Sequence, residues 1–294
     1  MMDQHPRATV LLIGSGGQLG SELKVLLENS NRYHSVFLDR QLLPLDEVDQ
    51  IQSRLAAYEP QYIINAAAYT AVDKAEEEYQ TANLVNHLAV KEIAMYAERA
   101  GCHFLSISTD YVFDGQNSRP WREEDPVGPI NVYGKTKALG EMAILQENPN
   151  AIIIRTSWVY SWYGNNFVKT MLRLFSEKEE LSIVDDQLGS PTYAKDLAEV
   201  VKHIIDGETW VPGIYHYANE GQLSWYEFAM AIKKELEFTC LLKPVSSDAY
   251  PTAASRPKFS VLDKSKIKVT FGIQIPQWEA SLKEMLAERN HEKR

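Results

Sequence analysis

An α/β fold, with a doubly wound parallel sheet and a smaller α+β lobe, is the architecture that this sequence predicts. Over the first 160 residues, short β-branched or aliphatic runs alternate with stretches in which apolar residues recur every three or four positions. Strands that are nearly continuous in apolar character and are separated by helices are typical of a parallel sheet covered on both faces. At 294 residues the chain is longer than a typical single domain, which favours one large domain with an appended lobe.

The first part of the chain contains strands and helices in alternation. The predicted strands are residues 9–13, 35–38, 62–65, 103–106 and 151–155. The predicted helices are residues 18–29, 48–58, 75–100 and 131–146. This order is that of a doubly wound sheet.

After about residue 160 the alternation is less regular. The predicted elements there are a strand over residues 181–184 and helices over residues 167–175, 193–206, 224–237 and from 276 onward. Ser224 and Glu227 have the spacing of a capping box, which predicts that a helix starts at this point.

Composition and charge argue against several classes of protein. No apolar run approaches the length of a membrane span, and the net charge of −10 argues against nucleic acid as the main partner. The apolar run at residues 10–13 is too short for a signal-peptide core, so a cytoplasmic protein is expected. Cys102 and Cys240 lie far apart in the sequence and are expected to be free thiols. The 7 histidines show no paired spacing, and no metal is predicted.

A glycine-rich turn follows the first predicted strand. Gly14, Gly17 and Gly20 recur at three-residue spacing, where backbone N–H groups and a helix N-terminus can face a pyrophosphate. This position between strand and helix indicates a Rossmann-like dinucleotide site, although tight turns also use glycine without a ligand. Asp39 ends the second strand about twenty residues later, where a carboxylate can accept hydrogen bonds from a ribose. Arg40 follows it and could face a 2′-phosphate, so NADH and NADPH both remain open.

A candidate catalytic pair lies in the segment YGKTK at residues 133–137. Tyr133 and Lys137 are four residues apart and therefore share one face of a helix. A ketone reduced by hydride needs a proton on its oxygen, and a nearby lysine favours the phenolate of a tyrosine that would supply it. The spacing alone is typical of a solvated helix face. The hydroxyl cluster of Ser106, Ser108 and Thr109 favours catalysis, because it follows the fourth strand, where doubly wound folds place ligands.

Together these stretches resemble the extended short-chain dehydrogenase/reductase superfamily and, within it, the dTDP-4-dehydrorhamnose reductase family. The two most specific motifs are NAAAYTAVDKAE at residues 65–76 and STDYVFDG at residues 108–115. The others are GQLG at 17–20, YGKTKALGE at 133–141, RTSWVY at 155–160, GNNFVKTML at 164–172, DQLGSPTYAKDL at 186–197, and Arg256-Pro257 before Leu262-Asp263. The resemblance covers nearly the whole chain.

The resemblance implies a role for each matching residue. Tyr133 would be the proton donor, Lys137 its tuner and a ribose ligand, and Thr109 the hydroxyl beside the carbonyl. The implied cofactor-binding residues are Gly14, Gly17, Gln18, Leu19 and Gly20 in the turn, Asp39, Arg40, Asp46 and Glu47 at the adenosine end, and Ala67, Ala68, Tyr69 and Thr70 at the nicotinamide half. The implied substrate-binding residues are Thr109, Asp110, Tyr111, Trp158 and Arg256, with the Trp158 ring stacked on a deoxysugar. Residues 40–49 depart from the usual family pattern.

The resemblance also implies a reaction and a division of the chain. Hydride would pass from NADPH or NADH to the C4 ketone of dTDP-4-dehydro-β-L-rhamnose, giving dTDP-β-L-rhamnose for surface polysaccharide. Residues 1–160, with returns near 186–218 and 260–275, would form the dinucleotide-binding domain, and residues 161–294 mainly the substrate lobe. The implied partner is the dTDP-sugar, with neither nucleic acid nor membrane, and a homodimer is one possible assembly.

Three other functions are weighed against this one. Sugar-nucleotide dehydratases of the superfamily usually carry an acidic pair after the catalytic threonine, whereas Asp110 is followed by Tyr111, so simple reduction fits better. A reductase or epimerase of another nucleotide-linked keto-sugar remains open, because kinship of fold does not fix the substrate. A similar fold serves methionine adenosyltransferase as a non-catalytic regulatory subunit, and the intact set of Thr109, Tyr133 and Lys137 argues against that function.

Overall fold

The computed structural model describes residues 7–207 and 209–288. Its strands, in chain order, are β1 (Ala8–Ile13), β2 (Tyr33–Leu38), β3 (Tyr62–Asn65), β4 (His103–Thr109), β5 (Ile152–Thr156), β6 (Val159–Tyr160), β7 (Glu180–Val184), β8 (Leu188–Gly189), β9 (Thr192–Tyr193), β10 (Gly213–Tyr217), β11 (Leu223–Ser224) and β12 (Leu241–Val245). Its α-helices are α1 (Gln18–Glu28), α2 (Ile51–Ala56), α3 (Val72–Ala75), α4 (Tyr79–Asn83), α5 (Ala89–Ala100), α6 (Val132–Glu147), α7 (Phe167–Glu177), α8 (Ala194–Asp206), α9 (Trp225–Glu235), α10 (Ser265–Phe271) and α11 (Trp278–Glu288).

The central element is a six-stranded sheet with the order β10-β5-β4-β3-β1-β2, in which every pair of neighbours is parallel. The predicted doubly wound parallel sheet is therefore confirmed. The chain passes from β1 to β2 on one side and then to β3 on the other, which opens a crevice at the carboxyl ends of β1 and β3. Ile13, Asn65 and Thr109 end their strands along this same edge.

Helices cover both faces of the sheet, and alternate residues of β1 show this directly. Val10 and Leu12 pack with residues of α1 and α8, whereas Leu11 and Ile13 pack with residues of α2 and α5. All four side chains are fully buried or nearly so, which explains the continuous apolar run in the sequence. No helix among residues 7–207 and 209–288 is long and apolar enough to cross a membrane.

A second hydrophobic core lies in the later part of the chain. Val168 and Phe175 of α7, Phe228 of α9 and Met285 of α11 pack together in it, and the parallel pair of β7 and β12 contributes further buried residues. The returns of the chain to the main sheet are separate from this core. β10 pairs with β5, α8 packs against α1, and α10 packs against β10.

The predicted helix over residues 75–100 is wrong in its continuity. α3 ends at Ala75, α4 follows at Tyr79–Asn83, and a π-helical turn at Leu84–Leu88 leads into α5. The π-helical turn includes the buried Asn86, whose side chain accepts from Tyr69 N at 2.8 Å and donates to Tyr69 O at 3.1 Å. These contacts to a distant loop have no periodic signature in the sequence.

The other predicted elements are present, with ends that differ by a few residues. The predicted helix over 48–58 is a 3₁₀ turn at Val48–Gln50 followed by α2. The predicted capping box is confirmed: Ser224 Oγ accepts from Glu227 N at 3.1 Å and Ser224 N donates to Glu227 Oε2 at 2.7 Å.

Replacing Gly20 by alanine should destabilise the fold before any ligand is considered. A Cβ at Gly20 would lie 2.0 Å from Gly14 O, so α1 and the glycine turn would have to separate. We expect a loss of about 1–3 kcal/mol in the free energy of unfolding, measured by urea denaturation. Gly16→Ala is the matched control, because a Cβ at Gly16 would meet nothing within 4 Å. Equal unfolding midpoints for the two variants would contradict the close packing described for this turn.

Candidate active site

The glycine turn leaves the N-terminus of α1 free of side-chain caps. Gly14 has φ 82° and donates its N–H to Leu38 O at 2.8 Å, which fixes the turn at the end of β1. Gly17 is the N-cap of α1 and makes no side-chain hydrogen bond there. The first N–H groups of a helix need acceptors, and a phosphate oxygen is one. The turn therefore fits the pyrophosphate of a dinucleotide, with Leu19 and Gly20 in the first turn of the helix.

The side chain of Gln18 points away from this turn toward the later part of the chain. Its Oε1 accepts from Asn166 Nδ2 at 2.9 Å, and its Nε2 donates to Val159 O at 3.4 Å. The backbone N–H of Gln18 then remains for a pyrophosphate, together with the second N–H of its side-chain amide. The side chain joins the predicted cofactor turn to the N-terminus of α7, which begins after Asn166.

At the predicted adenosine end, the charged side chains already have partners. Asp39 Oδ1 accepts from the backbone N–H groups of Gln41 and Leu42 at 2.9 and 3.0 Å. The exposed Arg40 lies 4.0 Å from Asp46, and Glu47 forms an ion pair with Arg54 at 2.5 Å. The structure thus keeps Asp39, Arg40 and Asp46 together beside β2, while Glu47 is turned toward α2.

The predicted nicotinamide half follows β3 at the carboxyl edge of the sheet. Ala67 N donates to Asn65 Oδ1 at 3.1 Å, and the backbone of Tyr69 is held by Asn86. Ala68 and Thr70 lie in the same irregular segment, between β3 and α3. Asn86 was not predicted from the sequence, because no local pattern connects it to a loop so far away in the chain.

The candidate catalytic residues Thr109, Tyr133 and Lys137 come together at this edge. Thr109 ends β4, and Tyr133 lies in the first turn of α6, whose N-cap Asn131 accepts from Gly134 N at 2.8 Å. The Thr109 hydroxyl lies close enough to the Tyr133 phenol to lower the pKa of Tyr133. Lys137 is buried one turn further along α6 and donates from Nζ to Ile107 O at 2.7 Å.

Burial shifts the pKa values of this pair in opposite directions. It raises the pKa of Tyr133 to about 12, with a smaller lowering from the Thr109 hydroxyl. It lowers the pKa of Lys137 to about 8. In this structure the Lys137 ammonium group donates to Ile107 O, and desolvation is the largest effect on the Tyr133 pKa, so the lowering of that pKa by Lys137 stays a prediction. Burial keeps Tyr133 as a neutral phenol at neutral pH.

A buried ion pair behind the site fixes α6 against the sheet. Glu141 lies one turn after Lys137 and accepts from Arg155 Nη2 at 2.7 Å and Arg155 Nε at 3.0 Å. Ser108 Oγ also donates to Glu141. Glu141 stood in the YGKTKALGE motif without a predicted role, although its spacing of four residues from Lys137 places both on one helix face.

The predicted substrate-binding residues Asp110, Tyr111 and Arg256 lie beside Thr109 and Tyr133. The buried Asp110 Oδ1 accepts from Thr109 Oγ1 at 3.0 Å, and burial raises the pKa of Asp110 to about 7. The Tyr111 ring meets the Tyr133 ring edge to face at 5.6 Å. Arg256 forms an ion pair with Asp73 at 2.7 Å, and it lies close enough to the Tyr111 phenol for that phenol to help raise the pKa of Arg256.

A cavity of about 910 Å³ extends from Arg256 along α7 and β7. Phe167, Trp225 and Gln187 are among the residues that line it, together with eight residues between 247 and 256 in the segment before α10. Trp158 is not one of the lining residues, and its ring stacks on Trp225 at 3.5 Å instead.

Among residues 7–207 and 209–288, no group of three or more His, Cys, Asp and Glu side chains could hold a metal ion.

The parallel sheet, the glycine turn and the set of Thr109, Tyr133 and Lys137 define a short-chain dehydrogenase/reductase. The family model for the RmlD substrate binding domain matches residues 8–291, and the chain belongs to this family. A dTDP-4-dehydrorhamnose reductase of Aggregatibacter actinomycetemcomitans is 45% identical over 95% of this chain and 99% of its own length. The spore coat polysaccharide biosynthesis protein SpsK of Bacillus subtilis is 41% identical over 96% of this chain and 98% of its own length.

Solved structures agree with these sequence relatives. A crystal structure of dTDP-4-dehydrorhamnose reductase from Bacillus anthracis in complex with NADP superposes with a TM-score of 0.91. It is 38% identical and covers 96% of this chain and 99% of its own. The expected family and the expected fold are both confirmed.

The buried Asp110 should make stability depend on pH. Because burial raises its pKa from 3.8 to about 7, the folded protein binds this proton more tightly than the unfolded chain does. The contribution of Asp110 to the free energy of unfolding is then fully present below about pH 4 and is lost as the pH rises through about 7. Asp110→Asn removes this loss, so the variant should gain stability relative to the unchanged protein as the pH rises.

Urea unfolding at about pH 5 and about pH 8 measures this difference. Asp49→Asn, at an exposed position, serves as the control. If Asp110→Asn and the unchanged protein lose stability in parallel across this window, the carboxyl group does not titrate as its burial requires.

Proposed function

We propose that this protein reduces the C4 ketone of dTDP-4-dehydro-β-L-rhamnose to the alcohol of dTDP-β-L-rhamnose, with NADPH or NADH as the hydride donor. The observation that carries the proposal is the meeting of Thr109, Tyr133 and Lys137 at the sheet edge that also carries the uncapped glycine turn. Full-length relatives named for this reaction support the choice of substrate. The product would serve the synthesis of surface polysaccharide.

The bound nicotinamide would supply the hydride, and the chain's own residues would supply the proton and the orientation. Tyr133 is protonated at neutral pH and would donate that proton as negative charge develops on the ketone oxygen. Burial, which raises the pKa of Tyr133 to about 12, opposes this transfer, and the Lys137 cation would offset it by favouring the phenolate. The Thr109 hydroxyl donates its one proton to Asp110 Oδ1 in the free protein, and it would turn that proton to the same ketone oxygen when the substrate is bound. Lys137, with a pKa of about 8, is mostly charged at neutral pH and is placed to hold the nicotinamide ribose.

The two cores would divide the binding of the two ligands. Residues 1–160, with the returns near 186–218 and 260–275, would hold the dinucleotide, and the later lobe would hold the dTDP-sugar in the cavity of about 910 Å³. Arg256 lies at the end of this cavity nearest Tyr111, where it could meet a phosphate or a sugar hydroxyl.

We also propose a cellular compartment and an assembly for this protein. The two thiols, Cys102 and Cys240, are unpaired and buried, which suits a reducing compartment such as the cytoplasm. A homodimer is the proposed assembly. Light scattering on the purified protein measures it, and a monomeric mass would contradict it.

Tyr133→Phe should reduce turnover by about 10²–10⁴-fold, because it removes the proton donor and little else. Loss of NADPH absorbance after addition of dTDP-4-dehydrorhamnose measures turnover, and calorimetric titration with NADPH should give a nearly unchanged Kd. Tyr79→Phe, at an exposed position on α4, is the matched control. Normal turnover by Tyr133→Phe would refute the assignment of the proton donor.

Arg40→Ala should affect the use of NADPH and the use of NADH differently. If the Arg40 guanidinium binds a 2′-phosphate, its removal raises the KM for NADPH and leaves the KM for NADH unchanged. The assay is the same absorbance measurement, run with each cofactor in turn. An equal change with both would show that Arg40 acts only through its contact with Asp46.

A further inference from the structure

The backbone of Trp158 is held in a conformation that side-chain-bearing residues rarely adopt. Its φ is 46°, in the left-handed region. Neighbouring contacts fix it there: Trp158 O accepts from Thr192 N at 3.2 Å, and Ser157 Oγ donates to Ser190 O at 2.6 Å. These contacts fix the direction of the Cα–Cβ bond of Trp158.

Both faces of the Trp158 ring are covered by the chain itself. Trp225 stacks on one face, with ring centroids 3.5 Å apart and planes inclined by 11°. Gly189 lies over the other face, because a Cβ at Gly189 would be 2.5 Å from Trp158 Cε2 and 2.7 and 2.8 Å from its ring neighbours Cζ2 and Nε1. The expected stacking of a sugar on Trp158 cannot occur in this arrangement.

The two groups that cover the Trp158 ring, Gly189 and Trp225, belong to one pair of short strands and the helix that follows it. β8 and β11 are antiparallel, with Gly189 opposite Leu223 and Leu188 opposite Ser224. Trp225 follows Ser224 directly as the first residue of α9. Gly189 contributes only backbone, which this strand pair fixes, whereas Trp225 covers the ring with a side chain that can rotate.

The position of the cavity indicates which of the two groups, the Trp225 ring or the Gly189 backbone, can move away from the Trp158 ring. Trp225 lines the cavity of about 910 Å³, and its other contact there is the Phe167 ring at 4.6 Å. The Trp225 ring therefore stands between the cavity and the Trp158 ring. Ser224 and Glu227 cap α9 independently of the indole, so the ring can swing without unwinding the helix.

We propose that Trp225 is a displaceable gate that competes with the sugar ring of the nucleotide-sugar for one face of Trp158. The inference rests on the proposed function, because it assumes a ligand whose sugar reaches Trp158. A sugar must offer an apolar face to replace an indole in this stack, and a 6-deoxy sugar offers more apolar surface than its hydroxylated counterpart. The nucleotide without its sugar should leave the stack closed.

Circular dichroism can observe the gate directly. Closely stacked indoles give an exciton couplet in the far ultraviolet, and Trp158 and Trp225 form the only stacked indole pair among the described residues. The couplet should be present in the free protein and absent in Trp158→Phe and Trp225→Phe. Trp210→Phe should retain it, because Trp210 packs on His103 beside the main sheet.

Adding dTDP or dTDP-β-L-rhamnose then tests whether the sugar displaces the Trp225 ring. Saturating dTDP should leave the couplet unchanged, and saturating dTDP-β-L-rhamnose should abolish it, with binding of each followed by calorimetry. A couplet that survives while dTDP-β-L-rhamnose binds would overturn the gate alone. Absence of binding heat with dTDP-β-L-rhamnose would count against the proposed function, and with it against the gate.

Kinetics give a second, independent test. Trp225→Leu frees the Trp158 face, so the KM for the nucleotide-sugar should fall by about two- to tenfold, which is the range expected for loss of one aromatic stack, with kcat nearly unchanged. A KM that rises would show that Trp225 binds the sugar instead of competing with it, and would overturn the proposal.

Discussion

One buried carboxylate, that of Glu141, fixes the geometry on which the candidate active site depends. It lies between Arg155 of β5 and Ser108 of β4, and it belongs to the helix that carries Tyr133 and Lys137. A charge this deeply buried is tolerated only with partners in good geometry, so the helix cannot slide along the sheet without exposing or stranding it. The placement of Tyr133 against Thr109 follows from this constraint.

The glycine turn and the second hydrophobic core are joined at a second point. Gln18, in the first turn of α1, is bonded to Asn166 at the start of α7 and to Val159 in β6. Asn131 makes a similar connection from α6, donating to Ser255 O at 2.7 Å in the loop that borders the cavity. The two surfaces that are proposed to bind the cofactor and the nucleotide-sugar are therefore hydrogen-bonded to each other.

Most of the fold and part of the candidate site can be predicted from local patterns in the sequence. The strands of the sheet, the glycine turn and the spacing of Tyr133 and Lys137 depend on neighbours in sequence, and they were predictable from it. The π-helical turn around Asn86, the two-residue strands and the Trp225 cover of Trp158 depend on partners far away in the chain, and no local pattern encodes them. The pKa of Tyr133 depends on how deeply the fold buries it, which spacing alone does not determine.

The late arrival of β10 at the edge of the sheet has a consequence for synthesis. β5 ends at Thr156, but its outer partner is Gly213–Tyr217, so the chain from β6 through α8, which includes only the first part of the second core, is translated before the sheet can close. Until then β5 presents open backbone N–H and C=O groups, together with a face that α8 has yet to cover. Such an unpaired strand is a site for aggregation, and distant parallel pairing slows folding. The nascent chain is thus expected to need protection until β10, at residues 213–217 of 294, has left the ribosome.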